Sequence, residues 1–253
     1  PQRHRLRPGG AYRQRPRGAI GGASTASVWA KAYGAWGESG ADGVSDADRN
    51  AAGTLFGLDG EVGDNWRLGV VAGFGTSTVK LSDSRVEADS YHLGIYGGTT
   101  SGPMGLRFGL THSLNDNDSR RGVTYGAVSE TLTASYDSQV TQLFGEASYR
   151  IDTARGLLEP FAGLAHLHAS TDGFTESGGA AALTASDAKM DTTFATLGLR
   201  TEQGFELGGR RALFEGEIGL RHAFGDVDPE TTLAFAGGAE FGVTGAPVAE
   251  NTA

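Results

Sequence analysis

The chain has 253 residues, a formal net charge of -9, 41 glycines and no cysteine. That length suits one barrel-sized β domain, the missing cysteines exclude a disulfide scaffold or a Cys-ligated zinc site, and no run of 18 apolar residues supplies a transmembrane helix. Residues 1–18 hold six arginines and no acid, which leaves -15 on the remainder and argues against a nucleic-acid-binding core.

Residues 1–27 are rich in Arg, Pro and Gly and have no helical periodicity, so they read as a basic linker. From there the pattern has a period of two, which puts successive side chains on opposite faces of a strand. Expected strands fall at 28–37, 53–61, 66–80, 87–99, 104–113, a sixth reaching 151, then 157–169, 193–202 and 212–220. In the seventh the faces are hard to separate, and Pro160 suggests a strand start or a bulge. The last two show the rule best. Ala195, Leu197 and Leu199 alternate with Thr196, Gly198, Arg200 and Glu202, and after a tight 207–211 connection Phe214, Ile218 and Leu220 alternate with Glu215, Glu217 and Arg221. Segments of 9–15 residues exceed the usual strand of about 5–6 and are long enough for the roughly 9–11 that a tilted strand needs to cross a bilayer. Glycine inside strands marks close backbone approach, which a closed barrel uses.

Short connections are expected at 62–65, 100–103, 152–156 and 207–211, and long polar ones at 38–50, around 82–84, at 115–136, 171–191 and 225–247, the last with a small hairpin over 233–243. Tight turns at one end and long loops at the other are the habit of outer-membrane barrels. Trp29, Trp36, Trp66 and Tyr149 lie near strand ends, where an interfacial aromatic girdle is expected. A soluble barrel or sandwich would need neither feature.

With the strands placed, the chain resembles the C-terminal β-domain of the autotransporters, the type V secretion proteins of Gram-negative bacteria. Stretches that carry the resemblance include Val28-Trp29-Ala30-Lys31-Ala32-Tyr33-Gly34, Tyr91-His92-Leu93-Gly94-Ile95-Tyr96-Gly97, Leu158-Glu159-Pro160-Phe161-Ala162-Gly163-Leu164 and Arg221-His222-Ala223-Phe224-Gly225-Asp226. The resemblance implies an all-β fold, an antiparallel meander transmembrane β-barrel of the twelve-stranded type, threaded by a helix or linker. It implies a cell outer membrane location, a passenger domain upstream that the barrel anchors and helps to export, and folding by the barrel-assembly machinery. Outer-membrane lipid and the chain's own upstream segment are then the partners, and the barrel is expected to be monomeric. The domain is expected over 28–253. About nine full strands are countable; the family's last three, ending in an aromatic residue, are expected after Ala249. Bacterial barrels close with an even count, so the chain is expected to be incomplete at its C-terminus. The Arg/Pro-rich start departs from the family's helical segment, and no Asn-Asn pair is present for self-cleavage.

Arg67, Arg107, Glu146, Arg150, Arg200, Glu202, Glu215, Glu217 and Arg221 fall between apolar positions and are expected to face a polar lumen, in contact with solvent and linker. No Gly-x-Ser-x-Gly, His-Glu-x-x-His or P-loop motif is present, so no catalytic residue, cofactor or metal is expected and the domain is read as non-enzymatic. His166 and His168 share a strand face without an evident third ligand and read as pore- or interface-facing. Asp116 and Asp118 hint at calcium, but Arg120 stands where a loop glycine belongs, so a solvated loop is expected. The alternatives are a free-standing outer-membrane porin and an outer-membrane esterase or protease with its site in the loops or upstream.

Overall fold

The computed structural model of the chain describes residues 26–41, 44–154, 156–208, 210–245 and 247–252. The expected linker thus lies outside the described residues except for Ala26 and Ser27, which open the first strand. Nine long strands form one antiparallel meander: β1 (Ala26–Ala41), β2 (Val44–Val62), β3 (Trp66–Lys80), β4 (Ser84–Ser101), β5 (Met104–Tyr125), β6 (Val128–Tyr149), β8 (Gly156–Thr171), β11 (Ala188–Leu207) and β12 (Arg210–Gly225). The short β7 (Ile151–Thr153) pairs with β8, and β15 (Asn251–Thr252) lies beside β12, where a tenth strand of the meander belongs. Among the described residues this sheet is open, with β1 at one edge and β15 at the other. A second sheet combines β9 (Phe174–Thr175) and β10 (Leu183–Ala185) with β13 (Glu230–Phe235) and β14 (Glu240–Thr244), in the order β14-β13-β10-β9. The expected small hairpin over 233–243 is β13–β14.

Every expected long strand is present, but most run further than the pattern suggested. β5 and β6 have 22 residues each and stay paired without a break from Met104↔Tyr149 to Tyr125↔Val128. The polar stretch 115–136 is therefore a hairpin, with Asp116 opposite Asp137 and Asp118 opposite Ser135, and the expected solvated loop there is not found. Likewise 44–50 pairs back onto β1, and β3 turns into β4 through 81–83. The physical reason is that side-chain polarity reports which solvent a stretch faces, whereas backbone pairing ends only at a turn. Two connections at that end are long, 172–187 and 226–250, and they hold the second sheet. At the opposite end the turns are tight, and Gly63 (φ 65°) and Gly102 (φ 56°) supply left-handed backbone there.

Pro160, expected at a strand start or a bulge, sits inside β8 opposite Leu199, at an interruption that leaves the register unshifted. Having no N–H, it breaks the β6–β8 ladder: pairing stops at Ser148↔Phe161 and resumes as Ile151↔Leu158. The amide of Arg150, in that gap, bonds to the Pro103 carbonyl at 2.7 Å.

The register places aromatic rings across glycines of the neighbouring strand. Trp29 is paired with Gly57, Tyr96 with Gly69, Phe144 with Gly109 and Phe161 with Gly198, and a Cβ on any of these glycines would run into its ring. Only glycine lets each ring lie flat against the backbone. Gly57→Val should therefore cost about 1–3 kcal/mol through overpacking, read as a lower midpoint for loss of the folded, heat-modifiable band. An unchanged midpoint would refute the fit.

Candidate functional site

Cross-strand register brings together charges that are distant in sequence. Glu61 is opposite Arg67, Arg67 opposite Gly98, Gly98 opposite Arg107 and Arg107 opposite Glu146. On the far side of β8, Glu159 is opposite Arg200, Arg200 opposite Glu217, Glu202 opposite Glu215 and Thr196 opposite Arg221. Paired residues share a face. Arg67, Arg107, Glu146, Arg200, Glu202, Glu215, Glu217 and Arg221 thus lie on one face of the sheet, while Phe56, Val70, Ile95, Leu110, Leu197 and Ile218 lie on the other.

Two networks join the mid-strand charges of this face among the described residues. In the first, the buried carboxylate of Asp59 accepts from the Arg67 Nε, from the Tyr96 hydroxyl (2.6 Å) and from Trp29 Nε1 (3.1 Å). Arg67 Nη2 reaches Ser27 Oγ at 2.5 Å, so residues of β1 to β4 are tied to one carboxylate. Trp29 accordingly belongs to the charged face and not to an outer girdle; Trp36 and Trp66 are exposed on the apolar face.

The second network centres on Arg200. Its guanidinium forks onto Glu146 at 2.6 and 2.7 Å, donates Nε to Glu217 at 2.7 Å, reaches Glu159 at 3.4 Å and stacks 3.7 Å above the Phe161 ring. Arg107 stands 3.4 Å from Glu146 and 3.5 Å from Glu159. Five strands, β5, β6, β8, β11 and β12, therefore meet at two guanidiniums and three carboxylates, a bidentate geometry that arginine suits and lysine does not. Arg221 lies 5.8 Å from the Phe194 ring. Arg150 is apart from both networks, paired with Asp152 at 2.8 Å by the tight turns.

Asp59 and Glu159 escaped the sequence reading. Asp59 alternates with Phe56 and Leu58, so its face was visible. Glu159 follows Leu157 and Leu158, one on each face, and only its register against Arg200 assigns it. His166 and His168 are on the apolar face near the loop end. His168 Nδ1 is 2.7 Å and His166 Nε2 3.6 Å from Asp191 Oδ1. Among the described residues no group of three or more His, Cys, Asp or Glu is arranged to hold a metal. On the charged face Arg67, Arg107 and Arg200 pair with carboxylates of neighbouring strands, which ties those strands together, while Glu202 faces Glu215.

Residues 28–253 match the family model described as "Autotransporter beta-domain". The chain belongs to the autotransporter β-domain family. Its relatives include two sequences named "Extracellular serine protease" from Serratia marcescens. One is 35% identical over 229 residues (89% of this chain, 22% of the relative) and the other 38% identical over 210 residues (82% and 20%). The β-domain therefore spans about a fifth of the length of those relatives. Similar solved folds are the translocator domain of the autotransporter NalP from Neisseria meningitidis and the β domain of the Bordetella autotransporter BrkA. The first has a TM-score of 0.60 at 17% identity, covering 89% of this chain and 82% of that one. The second has a TM-score of 0.59 at 18% identity, covering 87% and 93%. The expected all-β antiparallel meander of the autotransporter barrel type is what this β-domain has, and its place and role are those of an outer-membrane translocator.

Proposed function

We propose that this β-domain stands in the outer membrane with its apolar face against lipid and its charged face around a water-filled passage. In that position it anchors an upstream passenger and helps to bring it to the cell surface. The observation that carries the reading is the contrast between the faces. Leu197 and Ile218 are 66% and 72% exposed on one side, while Asp59 and Glu159 are 8% and 5% exposed on the other. An apolar surface running across nine strands exceeds what a soluble monomer leaves in water, and lipid accepts it where barrel strands alternate apolar-out and polar-in.

Arg67, Arg107, Glu146, Arg200, Glu202, Glu215, Glu217 and Arg221 then line the passage and meet solvent and linker, with Arg150 at its tight-turn rim. Mixed charge of this kind holds water and slides past an extended polypeptide without a strong sequence preference. Most of the length of the Serratia relatives lies outside the match, which favours an attached passenger over a free-standing channel. The protease named in those relatives is assigned here to the passenger part, and the β-domain contributes no catalytic residue. Assembly by the barrel-assembly machinery into a monomeric barrel completes the reading.

Thr196 and Ile218 test the assignment because they sit on neighbouring strands and opposite faces. In outer membranes, Thr196→Cys should react with a water-soluble maleimide and Ile218→Cys should not. A fluorophore placed at 218 should be quenched by brominated lipid. Equal labelling at both sites, or the reverse order, refutes the orientation.

A further inference from the structure

We propose that the segment 172–187 is a hinged cover over the loop end of the passage, clasped shut by Arg121 and Glu176. The inference rests on the reading of the charged face as the passage wall. β6 runs on past the point where β8 ends, and the segment first follows its edge: the Asp172 amide bonds to the Asp137 carbonyl at 2.9 Å, and Ser177 and Thr133 exchange two backbone bonds at 2.9 Å. The chain then turns over the charged face. Arg121 belongs to that face, because the β5–β6 register continues unbroken from Arg107↔Glu146 to Arg121↔Leu132. Its guanidinium grips Glu176 with Nε at 3.0 Å and Nη2 at 2.5 Å, and Nη2 also donates to the Ala181 carbonyl at 3.0 Å. From β6, Glu130 accepts the amides of Ala180 and Ala181 at 3.0 and 2.9 Å. Leu132 beneath the turn is fully buried, and Phe174 stacks on Tyr136 at 4.4 Å.

The second sheet couples the other long connection to this segment. β10 pairs with β13 through Leu183↔Phe235, and the Ser186 amide bonds to the Thr232 carbonyl at 3.1 Å, so 172–187 and 230–244 are joined in one sheet. Charge-assisted bonds close the cover, and a charged clasp opens into water more readily than an apolar plug would. Gly178, at φ 114°, gives the turn a backbone that other residues adopt only under strain. Burial pushes the Glu176 carboxyl up, but the Arg121 guanidinium and the Leu183 amide outweigh it and hold it below its usual value. With the folded value depressed, this part of the closure is fully present above the free glutamate range of about 4.3 and fades as pH falls through the lower folded value.

The test uses the full-length protein on intact cells, with Thr196→Cys on the charged face as reporter and a cell-impermeant maleimide as probe. Glu176→Gln should speed labelling about tenfold, the factor expected when a hydrogen bond to a charged group is weakened in a two-state element. Arg121→Lys keeps the charge but loses the fork and should speed labelling less. Asp152→Asn, at the tight-turn rim, should leave the rate unchanged. The heat-modifiable band establishes that each variant is folded, and if Glu176→Gln fails to fold, Arg121→Lys carries the test. Labelling at the wild-type rate in the folded variants overturns the cover alone. No labelling of Thr196→Cys in any background, including isolated membranes open at both sides, overturns the passage reading beneath it.

Discussion

Arginine in place of Leu197 should lower the stability of the folded β-domain by about 2–4 kcal/mol, while arginine in place of the adjacent Thr196 should cost under ~1 kcal/mol. The two positions are consecutive in β11 and differ mainly in the face they occupy. On the apolar face a guanidinium must be stripped of water in mid-strand or drag water and headgroups inward. On the charged face it stands opposite Arg221, which is mildly unfavourable, but can reach over Gly163 toward Glu146. Denaturant titration of the domain folded into lipid vesicles, followed by the change in gel mobility on heating, would measure the difference. Equal penalties at both sites, or a larger one at Thr196, would mean that the sheet faces the other way.

Arg200→Leu is expected to cost at most about 3–5 kcal/mol, because it removes the central guanidinium of a part-buried ion-pair network. Glu146, Glu159 and Glu217 would each lose a guanidinium partner, with Arg107 still 3.4 Å from Glu146 and 3.5 Å from Glu159. The loss should also reach beyond β11, since the network joins five strands. Arg200→Lys retains one charge but not the fork onto Glu146, so it should fall between Leu and wild type. Glu202→Gln should change stability by under ~1 kcal/mol, or raise it slightly, because Glu202 and Glu215 face one another across the ladder. Unfolding midpoints of the three variants give the order. Arg200→Leu matching wild type would show the network to be ornamental.

Local alternation carried the reading of the fold where it was clean. Leu197 against Arg200, or Phe214 against Glu215, assigns a face without any knowledge of a neighbour, because side-chain direction in a strand depends on parity alone. It failed for strand ends. Asn115, Asp116 and Asn117 look like a loop, yet they extend β5, because a ladder in water is held by its backbone and is indifferent to polar side chains. It was incomplete at Pro160, read as a strand start or a bulge; the residue lies inside β8, and which ladder could spare a donor there depends on the partner strand.

The networks were half legible for the same reason. Parity marked Arg67 and Arg200 as polar-facing, but the choice of Asp59 and Glu159 as their anchors depends on register, and Trp29 was placed at the membrane boundary until its indole was found on Asp59. Nothing local announced the cover at 172–187, whose clasp joins residues 55 apart in sequence.

The sequence by itself determined the all-β pattern and the two unlike faces of its wall, with the residues of each wherever alternation was clean, since these follow from a period of two. Only the tertiary structure decided which charges meet, how far each strand runs and that two distant connections fold into one sheet over the loop end. Those outcomes are pairings between distant strands, and a pairing depends on register, which a one-residue slip would reverse and which no single strand contains.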